Sequence, residues 1–239
     1  MYSGYLRDGS QLDCDNRDMS EPLRLSPTSG LDIEDAKSLV RQELRRHRRG
    51  RSSRALAELE EQFTARALEA IGGARHVALY VSTGSEPPTR TLLESLHARN
   101  VSVLLPVLGA GLSRQWALYQ GAHDLAERAP GRPPEPSGPA LDASAITGVE
   151  AVITPGLAVD CLGTRLGQGG GWYDRMLAQL TDDVPVFTML FDDELISDQL
   201  LPRDEFDQPV PAVITPTRVF LIEGSPYQSE CLKRLNLRG

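Results

Sequence analysis

The chain has 239 residues, 40% of them hydrophobic and 5% aromatic, with a formal net charge of −8. That length supports one large domain or two small ones around a sizeable core, and the acidic balance argues against general nucleic-acid binding, which needs a basic surface. No apolar run reaches the roughly 18 residues of a membrane span, and no apolar stretch of signal-peptide type opens the chain, so the cytoplasm is the expected compartment.

Residues 1–30 are polar and aperiodic and read as a flexible N-terminal extension. A helix is expected from about Asp32. Acids at Asp32, Glu34 and Asp35 open it and Arg45, Arg46, Arg48 and Arg49 close it, as the helix dipole favours. Ile33, Ala36, Val40 and Leu44 form its apolar stripe, and Lys37, Arg41, Arg45 and Arg48 a basic one. A second helix is predicted from Ser53 to Ala70, with Leu56, Leu59, Phe63, Ala67 and Leu68 inward. His76–Val81 reads as a strand, Thr83–Pro88 as a loop, Thr89 as the N-cap of a helix to His97, and Val101–Pro106 as a second strand. Strand, helix, strand in this order is a βαβ unit with parallel pairing.

Gln115–Gln120 is a further candidate strand. Five prolines between Ala129 and Ala140 exclude helix and central strand there and imply an extended surface connection. Val149–Thr154 and Val184–Phe191 read as buried strands, Ala212–Thr215 and Arg218–Ile222 as short terminal ones. The expected fold is α/β: a single domain over 31–225, with a mostly parallel central sheet flanked by helices on both faces, and a C-terminal tail over 226–239. Cys14, Cys161 and Cys231 are widely spaced, suggest neither a disulfide framework nor a metal pair, and are expected to be inert small hydrophobes.

Ligands of open α/β sheets sit beyond the carboxyl ends of strands. Three segments qualify: the Glu86 loop, Pro155–Gly171, and Phe191–Asp193. The densest signal is Gly167-Gln168-Gly169-Gly170-Gly171, running into a helical pattern with Trp172, Tyr173 and Asp174. Such a loop lets backbone N–H groups converge on an anion. It lacks the Gly-Lys-Ser/Thr of a Walker loop and the early Gly-x-Gly-x-x-Gly of a Rossmann unit. A tight strand-to-helix turn is the plainer alternative. Plainer alternatives also stand for single residues. Lys37 and Arg41 fit a solvated helix face, Arg165 an ion pair, Asp174 a helix-terminal acid, Glu86 an exposed loop acid and Trp172 the core.

Taken together, these residues resemble the 5-formyltetrahydrofolate cyclo-ligase family, also called 5,10-methenyltetrahydrofolate synthetase. The strongest match runs through Pro155-Gly-Leu-Ala-Val-Asp160, Gly163-x-Arg165-Leu-Gly and Gly169-x-Gly171-x-Tyr173-Asp174. Lys37-x-x-Val-Arg41, Glu86-Pro-Pro-Thr89, Glu135-Pro136, Phe191-Asp192-x-Glu194, Leu201-Pro202, Asp207 and Val213-Ile-Thr-Pro216 extend it over about residues 33–217. The chain departs from the family pattern at Pro88, Gln168, Trp172, Glu194 and Phe206.

The resemblance implies a three-layer α/β fold and a carbon–nitrogen bond-forming ligase of one-carbon metabolism. With ATP and Mg²⁺, such an enzyme converts 5-formyltetrahydrofolate to 5,10-methenyltetrahydrofolate, releasing ADP and phosphate. The formyl oxygen is phosphorylated and N10 then closes the ring. It implies ATP contacts from Lys37, Arg41, Arg165, Leu166, Gly167, Gln168, Gly169, Gly170, Gly171, Trp172 and Tyr173, and substrate contacts from Val81, Glu86, Gln168–Gly171 and Trp172. Arg165 and Asp174 are implied as catalytic, with Asp174 the metal ligand. Phosphoryl transfer needs positioning and charge neutralisation, and intramolecular closure needs no conspicuous His or Ser. A monomer or weak homodimer without membrane or nucleic-acid partners is expected. Two rivals remain: a paralogue acting on another folate-like or formylated compound, and a non-catalytic sensing domain whose Arg41–Arg54 segment, seven arginines in fourteen residues, binds nucleic acid.

Overall fold

A computed structural model describes residues 23–108, 113–128 and 132–237. Helix α1 spans Ile33–Arg49, and the Asp32 carboxylate caps it by accepting from the Glu34 and Asp35 amides. Helix α2, Ser53–Ile71, is capped by Ser52 and buries Phe63, Ala67, Ala70 and Ile71. Strand β1 (His76–Ala78), helix α3 (Arg90–Ala98) and strand β2 (Ser102–Leu108) form the expected βαβ unit, with β1 and β2 parallel and His76 opposite Ser102. Strand β3, Arg114–Leu118, turns back antiparallel along β2.

Strands β4 (Ala151–Pro155) and β7 (Val186–Met189) pair in parallel, and β4 also pairs with β1. Strand β9 (Ala212–Ile214) lies parallel to β7, and β10 (Val219–Leu221) closes the edge antiparallel to β9. The order β10-β9-β7-β4-β1-β2-β3 thus has a parallel centre and antiparallel edges. One apolar cluster joins α2 and α3 to one face. A second gathers Trp116, Ile146, Met176 and Leu177 with Tyr227 and Cys231 on the other. The α/β architecture read from the sequence therefore holds, with helices on both faces.

A second, three-stranded sheet escaped the sequence reading because its strands are only two or three residues long. It consists of β5 (Ala158–Asp160), β6 (Arg165–Leu166) and β8 (Leu195–Ile196). The apolar stripe of α1 docks here: Val40 and Leu44 pack with Leu157, Leu166, Ile196 and Leu201. Leu25 joins them, and the Leu23 amide bonds to the Asp193 carbonyl, so residues 23–26 are attached to the domain. The extension expected over 1–30 is corrected at that end; residues 1–22 lie outside the described residues, as do 129–131 of the proline-rich connection.

Three further expectations are corrected. The tail over 226–239 contains helix α5, Pro226–Arg234, with Pro at its first turn and Ser225 as N-cap. Its Tyr227 hydroxyl donates to the Val159 and Ile196 carbonyls, which fastens the helix to the small sheet. Cys161 and Cys231 form a disulfide across a sequence separation of 70, their Cα atoms 6.1 Å apart; the spacing hid a pair that only α5 brings together. Thr89 makes no side-chain cap. Its hydroxyl instead donates to the Tyr80 carbonyl and accepts from the Ser82 amide, tying down the loop that carries Glu86.

Candidate active site

A cleft of about 470 Å³ opens beyond the carboxyl end of β4, between α1, the Glu86 loop, the glycine loop and the 204–208 segment. Two of the three segments expected to converge do so: Glu86 and Pro155–Gly171 both contribute to the lining. Phe191–Asp193 does not. That segment binds the basic end of α1, where Asp193 accepts from His47 at 2.7 Å and also from Arg51.

Arg165 lies at the floor. Its Nη2 donates to Asp174 Oδ1 at 2.6 Å, and its guanidinium stands 5.9 Å from the Tyr173 ring centre. The Gln208 amide donates to the same Asp174 oxygen at 3.3 Å. Arg165 Nε is buried without a hydrogen-bond partner among the described residues, an orphaned donor beside the cleft. The ion pair expected as the plainer reading of Arg165 is therefore real, and it lies within the cleft.

The loop from Gly167 to Gly171 forms one wall, with Leu166 buried beneath it. Gly169 and Gly171 have φ of +104° and +57°, conformations L side chains rarely take. The amides of Gln168, Gly169 and Gly171 make no hydrogen bond among the described residues. Helix α4 behind the loop, Trp172–Leu177, has only six residues. So short a helix adds little dipole, and anion binding falls mainly to the loop's own N–H groups. Trp172 lines the cleft with its far side packed on Trp116, ring centres 4.6 Å apart, so the core and cleft readings both hold. Burial first and Glu86 second push the Tyr173 phenol well above its ordinary pKa, and it stays a protonated donor. Glu86 Oε2 accepts from the amide and hydroxyl of Thr83. Val81 is 3% exposed in the core and does not line the cleft, which corrects its expected substrate contact.

The basic stripe of α1 divides. Lys37, expected to present a free ammonium, is buried and ion-paired with Asp204 and with Asp207 at 2.6 Å. Burial alone would lower its pKa, but the two carboxylates outweigh that and raise it, so it stays charged. Arg41 lines the cleft and donates from Nε to the Gly167 carbonyl at 3.1 Å. Arg48 is fully buried on Glu194, with Nε and Nη2 each 2.7 Å from a carboxylate oxygen, and Nη2 also reaches the Gly156 carbonyl at 2.6 Å. Sequence reasoning missed the partners Asp204 and Glu194. The available signal was that Arg48 continues the Val40–Leu44 stripe at i+4, on the buried face. Of the seven arginines of Arg41–Arg54, Arg41, Arg45, Arg48, Arg51 and Arg54 bond within the chain.

The donor set suits a nucleotide and a hard cation. Unpartnered amides and a spare guanidinium N–H match phosphate oxygens. Asp174 Oδ2 makes no bond among the described residues, and one or two carboxylates with phosphate oxygens and water satisfy Mg²⁺.

Comparison with known proteins agrees. Residues 33–216 match the family described as 5-formyltetrahydrofolate cyclo-ligase. A 5-formyltetrahydrofolate cyclo-ligase of Escherichia coli K12 is 33% identical over 183 residues, covering 74% of this chain and 98% of that protein. One from Mycolicibacterium smegmatis is 37% identical over 149 residues, covering 60% and 75%. In structure, Aquifex aeolicus 5,10-methenyltetrahydrofolate synthetase superposes with a TM-score of 0.65 at 24% identity, over 79% of this chain and 94% of that one, which establishes the shared fold.

Proposed function

The chain belongs to the 5-formyltetrahydrofolate cyclo-ligase family, and on that premise we propose that it converts 5-formyltetrahydrofolate to 5,10-methenyltetrahydrofolate at the expense of ATP. The observation that carries the proposal is the coincidence, in one cleft, of an open-amide glycine loop with the Arg165–Asp174 pair. Bound ATP would supply the phosphoryl group that makes the formyl oxygen a leaving group. Bound Mg²⁺, held by Asp174, would neutralise phosphate charge.

The residues divide the remaining work. The amides of Gln168, Gly169 and Gly171 receive phosphate oxygens, and Arg165 adds its orphaned N–H. Arg41 contributes positive potential from the α1 side, and Lys37, kept charged by Asp204 and Asp207, becomes a phosphate ligand only where a carboxylate releases it. Glu86 Oε1, without a hydrogen bond among the described residues, can accept from the N–H groups of a pterin, and the Tyr173 hydroxyl stays a donor. Trp172 and the 75% exposed Phe206 offer faces for a flat ring. We propose a monomer or weak homodimer as the working form.

No helix among the described residues is long and apolar enough to cross a membrane. We propose the cytoplasm as compartment, where the thiol pool sets whether Cys161 and Cys231 stand bridged or free. The deciding experiment mixes purified protein with 5-formyltetrahydrofolate, ATP and Mg²⁺ and follows methenyl absorbance. ATP-dependent product is expected, and its absence from well-folded protein sinks the proposal.

A further inference from the structure

Three carbonyls of the glycine loop, those of Gly167, Gln168 and Gly170, are each held by a guanidinium. Arg41 Nε donates to Gly167 O at 3.1 Å and Arg45 Nη2 to Gln168 O at 2.9 Å. Arg114 Nη2 and Arg175 Nη2 meet at Gly170 O, 3.2 and 3.1 Å away. Arg45 adds a second bond, Nε to Gln168 Oε1 at 2.9 Å. Among the described residues these four arginines make no ion pair, whereas Arg48, Arg51, Arg54, Arg66, Arg165 and Arg234 all do.

A trans peptide points its C=O and the next N–H in opposite directions, and the described chain contains no cis bonds. Fixing the carbonyls of Gly167, Gln168 and Gly170 therefore fixes the amides of Gln168, Gly169 and Gly171, which make no hydrogen bond among the described residues. The arrangement is costly by itself. Two like charges share one neutral carbonyl, Arg114 Nε is buried without a partner, and burial together with Arg175 lowers the Arg114 pKa. A polyanion seated on the loop would offset four guanidiniums that have no ion-pair partner among the described residues.

Arg41 and Arg175 line the cleft, but Arg45 and Arg114 do not. They reach the loop from behind, one from α1 and the other from the edge strand β3. We infer that Arg45 and Arg114 are positioning residues that hold the Gly167–Gly171 peptides with their amides set for a polyphosphate, without touching it themselves. This rests on the nucleotide reading above and extends it to two residues outside the cleft.

The test uses the full chain and two probes: Mg²⁺-tripolyphosphate in calorimetric titration, and ATP in steady-state turnover. Arg45→Ala and Arg114→Ala should each raise the tripolyphosphate Kd and the KM for ATP about fivefold to tenfold, the scale of one typical hydrogen bond's net contribution. The KM for the folate and the thermal midpoint should stay near wild type; Arg45 is solvent-exposed, so its variant is expected to fold. The losses should persist at about 0.5 M KCl, where the Debye length falls to roughly 4 Å. Losses that vanish in salt would mean that the two arginines act only as remote charges, and unchanged binding would mean that they do nothing for the loop; either overturns the inference. Wild-type protein that binds no tripolyphosphate would overturn the nucleotide reading itself, a result distinct from both.

Discussion

Helix α1 carries two kinds of ion pair, one at each end. Arg48 and Glu194 are sealed, with side-chain exposures of 2% and 0%. Lys37 is equally buried, yet its partners Asp204 and Asp207 are 27% and 19% exposed and face the cleft. The Arg165–Asp174 pair is of the second kind, at 2% and 19%. Distances do not separate the classes, for Arg48–Glu194 and Lys37–Asp207 differ by only 0.1 Å, at 2.7 and 2.6 Å. Access of water to the carboxylate does. A sealed pair cannot exchange partners without stranding a charge, whereas a wet carboxylate can release its cation to an arriving phosphate or take up a metal.

The largest expected effect lies at the sealed end. Arg48→Ala leaves buried Glu194 with only Arg51 Nη1, 3.5 Å away, as a cationic partner and abandons the Gly156 carbonyl, for about 3–5 kcal/mol of lost stability. Arg48 holds its charge because its hydrogen bonds to Glu194 outweigh the burial that would lower its pKa. Urea denaturation would measure the loss, and a variant within 1 kcal/mol of wild type would erase the distinction between the two ends. Next comes the cleft. Arg165→Ala and Asp174→Asn should each cost on the order of 100-fold or more in turnover, with a far smaller drop in stability than Arg48→Ala. Folded variants with full activity would make that pair structural as well.

How much of this was legible in the sequence follows from what each feature depends on. The βαβ unit, the starts of the first two helices and the glycine loop are local patterns, and the sequence displayed them. The small sheet was not legible, because its pairing of β5 with β8 joins residues far apart in strands too short for periodicity. The same holds for the disulfide and for the partners of Lys37 and Arg48, which lie 167 and 146 residues away. Charge type and spacing marked Lys37 and Arg41 as candidates, but only the fold separates a cation facing the cleft from one sealed beneath it. Arg114 gave no sequence signal, since it reaches the loop across an edge strand.

The smallest expected effect is also the sharpest test of what a wet pair is. Hydrogen bonding from Lys37 holds the Asp204 carboxyl below its usual range. A depressed carboxylate contributes stability above its unfolded pKa, about 3.9, and loses that contribution as pH falls through the lower folded value. Lys37 is raised, so its contribution is complete below about 10.4 and fades as pH rises through the folded value. Asp204→Asn should therefore be less stable than wild type by a constant amount across the neutral range, with the gap closing below about pH 4. Thermal melts of both proteins from acid to neutral pH would measure it. In an Arg48→Ala comparison the gap should persist over neutral pH at several times that size, because no water reaches Glu194 to replace its partner. A gap at Asp204 that stays constant into acid would mean that the lost stability does not come from the ionised carboxylate's pairing with Lys37.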